Sequence, residues 1–179
     1  MKAFIVCGAP GAGKSTYGHQ LAREVSATLI DIDVVSERLV RLALALSGKD
    51  PNDRDSHFFK DKFRTPIYEQ MFDIAVDNLF LNHVVIVGPF TRELQDPDWP
   101  ETLANRLQAE VIVHYVTCDP AIRKKRIQIR GHSRDRGKLK DWEEYLQYYQ
   151  GENRPCFEHV LIDNNKEKCV KSSVTGKRY

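Results

Sequence analysis

Residues 8–15 constrain the fold of this chain more than any other part of its sequence. They read Gly-Ala-Pro-Gly-Ala-Gly-Lys-Ser and match the pattern G-x-x-x-x-G-K-[ST] at every specified position. The apolar residues 4–7 come just before them and predict a short buried strand, and a helix pattern begins at Lys14. A strand, a glycine-rich turn and a helix in this order are typical of a loop that binds phosphate groups, the Walker A motif.

The residue types in this loop indicate what it binds. Glycines allow successive backbone N–H groups to converge on a phosphate, because no Cβ intrudes and positive φ angles are open to them. Lys14 is predicted to bind the β- and γ-phosphates, and the hydroxyl of Ser15 is predicted to bind Mg²⁺. Both residues lie at the N-terminus of a predicted helix, whose dipole favours the negative charge of the phosphates. We therefore predict ATP and Mg²⁺ as ligands, with the nucleotide held by Gly8, Ala9, Pro10, Gly11, Ala12, Gly13, Lys14, Ser15 and Thr16.

The composition limits the classes of protein that need to be considered. A chain of 179 residues is long enough for one α/β domain with a full core and too short for two domains of ordinary size. Its 27 basic and 25 acidic residues give a net charge of +2, which by itself indicates neither a nucleic-acid nor a membrane partner. Its four cysteines lack C-x-x-C spacing, and no apolar run approaches about 18 residues. We therefore expect a cytoplasmic protein with reduced thiols.

Short β-rich runs alternate with helical patterns along the chain. Strands are predicted at residues 4–7, 27–32, 84–87, 111–116 and 158–162, and helices at 14–25, 34–46, 66–82, 101–108, 120–130 and 138–150. Thr65 as a cap and Pro66 in the first turn predict the start of the third helix. The alternation predicts an α/β protein with a three-layer P-loop NTPase fold, in which a five-stranded parallel sheet has helices on both faces and a lid. We expect one domain over residues 1–165 and a disordered polar tail over residues 166–179.

Two carboxylates end the second predicted strand. Asp31 and Asp33 are two residues apart, so in a strand they point to the same side, near the carboxyl end where ligands bind in open α/β sheets. Asp33 is a candidate catalytic residue, and Asp31 is a candidate ligand of Mg²⁺ through a water. Asp33 also fits as the N-cap of the helix that follows, and the two roles are compatible.

Basic residues farther along the chain are candidates for binding an anionic second substrate. In an arrangement that resembles a nucleotide kinase, the segment before the third helix would cover such a substrate, and of its basic residues we favour Arg64. A solvated surface of mixed charge is the ordinary alternative. The third strand ends in Gly88, where an acid often stands in phosphate-loop proteins, so the metal prediction rests on Ser15 and Asp31. Arg92 is a second candidate for binding the anion, and a simple tight turn at Gly88 is the alternative.

The segment from Arg130 to Gly137 is strongly basic and lies between two helix patterns. A loop this charged is unsuited to burial, and arginines that close over phosphates neutralise the charge that develops during phosphoryl transfer. We predict a lid over residues 130–137, with a solvated basic surface as the ordinary alternative. An apolar stripe after it predicts a helix packed on the core or the lid, formed by Leu139, Trp142, Tyr145, Leu146 and Tyr149.

Residues 1 to about 165 resemble the small P-loop kinases, which include shikimate kinase, gluconate kinase and the phage polynucleotide 5′-hydroxyl kinase. Besides the phosphate loop, Asp31-Ile32-Asp33 is similar to the acid-x-acid pattern after strand two, and residues 126–131 (Arg-Ile-Gln-Ile-Arg-Gly) resemble the lid helix of the polynucleotide kinase. The resemblance implies that Asp33 is the general base, that Arg126 lies by the adenine and that Arg130 contacts the γ-phosphate. Asn164, in the loop after the fifth strand, is also predicted to border the adenine.

The predicted function is transfer of the γ-phosphoryl group of ATP to a hydroxyl of a small-molecule acceptor. Asp33 would be the base, and Lys14, Arg130 and Mg²⁺ would stabilise the developing charge. A polynucleotide 5′-hydroxyl kinase is one alternative, which requires a basic channel leading to Asp33. A module that senses ATP or assembles on binding it is the other, and it would not need Asp33. The chain lacks the Gly-Gly-Gly that follows strand three in shikimate kinase, so the sequence does not name the acceptor.

Overall fold

The computed structural model describes residues 1–148 and 154–165. Its strands are β1 (Lys2–Cys7), β2 (Thr28–Asp31), β3 (Val84–Val87), β4 (Glu110–Thr117) and β5 (Val160–Asp163). They form one parallel sheet in the order β2-β3-β1-β4-β5. The helices are α1 (Lys14–Glu24), α2 (Ile32–Leu46), α3 (His57–Lys62), α4 (Arg64–Leu79), α5 (Trp99–Leu107), α6 (Pro120–Arg130), α7 (Arg136–Lys140) and α8 (Trp142–Tyr148), with short 3-10 turns at Glu93–Gln95 and Ser133–Asp135. The predicted α/β fold with five parallel strands is confirmed.

The sheet is the middle of three layers, because its central strands bury side chains on both faces. In β1, Ile5 and Cys7 pack on one side against α4 and α5, which contribute Met71 and Leu103 among others. Phe4 and Val6 point to the opposite side and pack with residues of α1 such as Leu21. A strand that is apolar on both faces is typical of a parallel sheet covered by helices on each side.

The parallel arrangement brings the carboxyl ends of all the strands to one edge of the sheet. There, Asp31 of β2 is paired in register with Val87 of β3, which is paired with Val6 of β1. The phosphate loop begins directly after Cys7, the last residue of β1. The loop and the acidic end of β2 therefore lie near one another, in the position where open α/β sheets bind ligands.

Several predicted helix starts are wrong in detail. The N-cap of α2 is Asp31 rather than Asp33, and the Asp31 carboxylate accepts a hydrogen bond from the Asp33 N–H at 2.9 Å. The β-strand stops one residue earlier than predicted, so the helix begins at Ile32 and Asp33 falls in its first turn. Likewise α4 begins at Arg64, with Thr65 and Pro66 inside it, because the unpredicted helix α3, capped by Ser56, leads almost directly into it.

The region of the predicted lid also differs from a plain loop. Gly131 ends α6 in a left-handed conformation, and the residues after it form a 3-10 turn and the start of α7. The predicted helix over 138–150 is broken at Asp141, whose carboxylate accepts a hydrogen bond from the Glu144 N–H at 2.8 Å. The last predicted strand is shifted to residues 160–163.

The apolar stripe after the lid packs with α6, as predicted. Trp142 and Tyr145 form a small buried cluster with Ile127 of α6, and Leu139 and Leu146 pack against it. Tyr149, the end of the predicted helix at 150 and the predicted tail at 166–179 lie outside the described residues. Within the described ranges, no helix combines the length and apolar character needed to cross a bilayer.

Candidate active site

The phosphate loop depends on glycines at positions where other residues would clash. Gly8 has φ 133°, and a Cβ there would lie 2.2 Å from the backbone oxygen of Val116. Gly13, with φ 97°, precedes α1, and a Cβ there would lie 2.2 Å from Nδ2 of Asn164. Both positions need positive φ and close approach of other atoms, which only glycine tolerates. The loop thus has the curled backbone that cradles phosphates, as the sequence predicts.

Lys14 is held over this loop. Its Nζ donates a hydrogen bond to the backbone oxygen of Ala9 at 3.0 Å. Burial lowers the pKa of Lys14 to about 8, with Arg130 acting in the same direction, and the nearby Asp33 and Cys7 offset only part of this effect. A buried ammonium whose bonded partner is an uncharged carbonyl is suited to receive an anion.

Arg126 and Asn164 flank the end of the loop, where the sequence predicted that they would border the nucleotide. The Arg126 guanidinium donates to the backbone oxygen of Asn164 at 3.0 Å and to that of Ala12 at 3.4 Å. Asn164 donates through Nδ2 to the same oxygen of Ala12 at 2.7 Å. Two side chains from distant parts of the chain therefore fix the backbone just before Gly13.

Asp33 is paired with an arginine of the lid segment, residues 130–137. Nη1 of Arg134 donates to Oδ1 of Asp33 at 2.8 Å, and Nη2 donates to Oδ2. Burial pushes the pKa of Asp33 up, but the hydrogen bonds and charge of Arg134, together with Lys14 and Arg130, outweigh burial and leave that pKa below its ordinary value. The carboxylate is thereby held ionised and in a defined orientation.

A second pair within the lid segment holds Arg130. Its guanidinium donates two hydrogen bonds to the carboxylate of Asp135, at 2.7 and 2.8 Å. Asp135 is almost fully buried, and although burial raises its pKa, Arg130, Lys138 and Arg134 lower it below the ordinary value. The bidentate pair fixes the plane of the Arg130 guanidinium at the cavity.

These elements line one open cavity of about 450 Å³. It brings together residues of the phosphate loop, among them Lys14, with Asp33 and Arg130. Their catalytic roles stay a prediction. The polar and charged lining residues outside the loop are Asp33, Ser36, Glu37, Arg54, Asp55, Arg126, Arg130, Arg134, Asp135 and Lys138. The phosphate loop and the Asp33 carboxylate thus line the same cavity.

The two predicted acceptor-binding arginines are placed differently. Neither Arg64 nor Arg92 lines this cavity. Arg64 contacts Thr91 through a hydrogen bond and lies over the ring of Tyr68, with its guanidinium carbon 5.7 Å from the ring centroid. Arg92 is exposed at the surface. Their role in acceptor binding stays a prediction.

Few protein groups at the cavity could bind Mg²⁺, and this ion usually needs only one or two of them. Ser15 and Thr16 line the cavity, whereas Asp31 is buried and uses one oxygen to cap α2. Among the described residues, no cluster of three or more acidic, histidine or cysteine side chains forms a metal cage. Mg²⁺ usually binds through one or two protein groups, water and substrate phosphates, so the donors present fit it when nucleotide is bound.

Sequence reasoning missed most of the residues on the side of the cavity facing Asp33. Arg134 was recognised only as part of a basic segment, and Glu37 and Lys138 were not singled out. Glu37 accepts hydrogen bonds from Arg134 at 3.2 Å and from Arg54 at 3.1 Å. One signal was available, because Glu37 lies four residues after Asp33 and so shares its face of α2.

The comparisons with known proteins agree with this geometry. Residues 4–151 match a family model described as an AAA domain. No curated protein matches the sequence.

Solved structures resemble the chain over most of its length. One, described as a "putative kinase" from Chloroflexus aurantiacus, has 18% identity and a TM-score of 0.65 over 92% of this chain and 88% of that chain. A sugar kinase from Janibacter has 15% identity and a TM-score of 0.57 over 91% and 85%. A gluconokinase from Sinorhizobium meliloti has 16% identity and a TM-score of 0.54 over 93% and 84%. At such identities the likeness shows a shared fold.

Proposed function

The chain belongs to the AAA domain family, and from this premise we propose that it transfers the γ-phosphoryl group of ATP to a hydroxyl of a small-molecule acceptor. The observation that carries the proposal is the shared cavity. The loop residues Gly13, Lys14 and Ser15 line it together with Asp33. A hydroxyl acceptor needs a place beside the γ-phosphate and a carboxylate within reach of its proton, and a cavity lined by both the loop and Asp33 would supply them.

The residues divide into those that hold the nucleotide and those that act on the transferred group. The loop N–H groups, Lys14 and Ser15 would hold the phosphates, with Mg²⁺ bound beside Ser15 supplying further neutralisation of phosphate charge. Arg130 is fixed by Asp135 at the cavity and would neutralise the γ-phosphoryl oxygens. Arg126 would lie beside the rest of the nucleotide, next to Gly13.

The reaction requires a base for the acceptor. The acceptor oxygen forms a bond to the γ-phosphorus while the bond from that phosphorus to the β–γ bridging oxygen breaks, and ADP leaves with that electron pair. The hydroxyl proton passes to Asp33. Its pKa lies below the ordinary value, so Asp33 is ionised at neutral pH but is a weak base. This fits a loose transition state in which the proton leaves late.

The shape and charge near Asp33 support a small acceptor rather than a nucleic acid. A polynucleotide kinase requires a basic channel that neutralises several backbone phosphates. The described residues around Asp33 include Glu37 and Asp55, so that part of the cavity carries carboxylates as well as cations. Two of the structural neighbours are described as a sugar kinase and a gluconokinase, which act on small molecules.

The experiment is a screen of hydroxyl compounds for ATP-dependent phosphorylation, followed by Asp33→Asn with the best acceptor. Asn keeps the shape of the side chain but cannot accept the proton. The turnover number should fall by a factor on the order of 10² to 10⁴, while ATP affinity by calorimetry stays within about twofold. Asp77→Asn, an exposed change on α4, is the matched control and should behave as the parent. Full turnover by Asp33→Asn would contradict the proposed base, whereas ATP binding without transfer to any acceptor would favour an ATP-sensing module.

A further inference from the structure

The part of the cavity around Asp33 has an unusual distribution of charge. It is formed by Asp33 and Glu37 of α2, Arg54 and Asp55 of the following segment, and Arg134 and Lys138 at and after the lid, which together we name the acceptor wall. The described residues of this wall are three carboxylates and three cations, so the wall has no net charge.

Every cation of the acceptor wall is bonded to a carboxylate of the same wall. Arg134 bonds to Asp33 and Glu37, and Arg54 bonds to Glu37 at 3.1 Å. Arg54 also donates to the backbone oxygens of residues 51 and 53. Lys138 bonds to Asp55 at 2.9 Å and lies 3.5 Å from Asp135. An anion entering here would have to compete with carboxylates that are already in place.

The exposed parts of these pairs are the carboxylates. The side chains of Arg54, Arg134 and Lys138 are 11%, 15% and 8% exposed. Those of Asp33, Glu37 and Asp55 are 48%, 33% and 48% exposed. The carboxylates of the wall are thus more accessible than its cations, so they offer hydrogen-bond acceptors to a ligand. Hydroxyl groups can donate to such oxygens, whereas a carboxylate or phosphate would be repelled.

The nucleotide part of the same cavity is built in a different way. Lys14 and Arg126 are bonded to backbone carbonyls and, for Arg126, to the sulfur of Cys118, so their charges are not cancelled by a carboxylate in direct contact. Lys14 and Arg126 therefore offer a phosphate positive charge that no bonded carboxylate offsets, and Arg130 adds a guanidinium that Asp135 holds in place. In the acceptor wall, by contrast, each cation is bonded to a carboxylate of the wall. One cavity thus combines a region suited to an anion with a region suited to a molecule that has no negative charge.

The acceptor wall is continued by an apolar surface. Phe59, Ile67, Val87 and Pro89 also line the cavity. Phe59 is held in place, because its ring stacks on Phe63 with centroids 5.6 Å apart and the Arg54 guanidinium lies 5.3 Å from it. Carboxylate oxygens beside apolar side chains match a ring that has hydroxyls at its edge and C–H groups on its face.

We infer that the acceptor is a polyhydroxylated ring compound that carries no negative charge. This inference rests on the proposed function and names the chemical class of its second substrate. The inferred class differs from the anionic acceptor that the basic residues of the sequence predict. Among those residues, Arg54 is bonded to Glu37, and Arg64 and Arg92 do not line the cavity.

The test compares acceptors that share a carbon skeleton and differ in charge. Suitable pairs, in which both members are rings, are glucose with glucuronate, galactose with galacturonate, and a nucleoside with its 5′-monophosphate. Phosphoryl transfer from labelled ATP is measured for each compound, and binding is measured separately by saturation-transfer NMR with a non-hydrolysable ATP analogue and Mg²⁺ present. In each pair that is used at all, kcat/KM for the member without negative charge should exceed that for the anion by about tenfold or more.

A variant tests whether the acceptor wall is the cause of this preference. Glu37→Gln removes a carboxylate that Arg54 and Arg134 share, so the wall gains one positive charge. The preference for the uncharged member should shrink by about tenfold or reverse. Glu101→Gln, an exposed change on α5, is the control and should leave the preference unchanged. Circular dichroism and melting of each variant establish that it is folded.

The outcomes separate this inference from the proposed function. Transfer that prefers the anionic members would retain the phosphotransferase and overturn the acceptor class. Binding of the uncharged members without transfer to any compound would support the acceptor class and contradict the phosphotransferase. Absence of both binding and transfer for the uncharged members would overturn the inference, as would a preference that Glu37→Gln leaves unchanged.

Discussion

Lys14 should take up a proton when ATP binds. Burial lowers its pKa to about 8 in the protein without nucleotide. The negative charge of bound phosphates stabilises the ammonium and should return the pKa at least to the ordinary lysine value of about 10.4. Protonation of Lys14 and binding of ATP are therefore linked. Because binding raises the pKa of Lys14, raising the pH should weaken ATP binding.

The size of the effect follows from these two values. The fraction of Lys14 that is neutral before binding and charged afterwards is about 0.1 at pH 7, about 0.5 at pH 8 and about 0.9 at pH 9. Integrated over this range, the affinity for ATP should be about tenfold weaker at pH 9 than at pH 7. Below about pH 6 the lysine is charged in both states, so the linkage disappears.

Calorimetry measures this uptake directly and needs no acceptor. A non-hydrolysable ATP analogue with Mg²⁺ is titrated at each pH in buffers that differ in heat of ionisation, and the slope of the observed enthalpy against that heat gives the protons bound. Lys14→Arg is the matched control, since its side chain stays charged throughout and any remaining uptake belongs to other groups. An uptake at pH 8 to 9 equal to that of Lys14→Arg would refute the reasoning.

Three further changes test other parts of the site. Asp31→Ala should lower the free energy of unfolding by about 1 kcal/mol by removing the α2 cap. Asp31→Asn should lower it little, because Asn caps a helix as well as Asp does. Equal losses for the two variants in urea unfolding would contradict the capping role of Asp31. Gly13→Ala should abolish ATP binding, since the new Cβ would lie 2.2 Å from the amide of Asn164 and the position has positive φ. Unchanged ATP affinity in calorimetry would mean that the loop does not need glycine at this position. Arg134→Gln should raise the pKa of Asp33, because the ion pair favours the ionised carboxylate. The acidic limb of the pH–rate profile should then move to higher pH. An unchanged ¹³C titration of Asp33 would count against this prediction.

The outcome at α2 shows why the sequence located the acidic site but misassigned one role. Asp31 does end β2, but Asp33 falls in the first turn of α2, so the strand alternation that predicted both acids on one side does not apply, and of the two acids Asp33 alone lines the cavity. The assignment of the cap required knowing where the helix starts, and a one-residue difference transfers the cap from Asp33 to Asp31. Local propensities leave such boundaries open by a residue or two.

The lid segment shows a different limit. Its basic composition predicted a segment that closes over phosphates, and Arg130 and Arg134 do line the cavity. Composition did not reveal that Arg134 would contact Asp33 or that the buried Asp135 would hold Arg130. A count of charges treats a basic run as uniform, whereas Arg130 and Arg134 have separate carboxylate partners.

The sequence by itself determined the phosphate loop, the alternation of strands and helices, and the position of the acids after β2. Each of these depends on residues close together in the chain, whose backbone geometry and periodicity follow from local sterics and apolar spacing. Only the tertiary structure decided which charges neutralise one another around Asp33. Arg134 is 101 residues from Asp33, and Lys138 is 83 residues from Asp55. Charges act on one another through space rather than along the chain, so the folded sheet had to bring α2 and the lid together before the acceptor wall could exist.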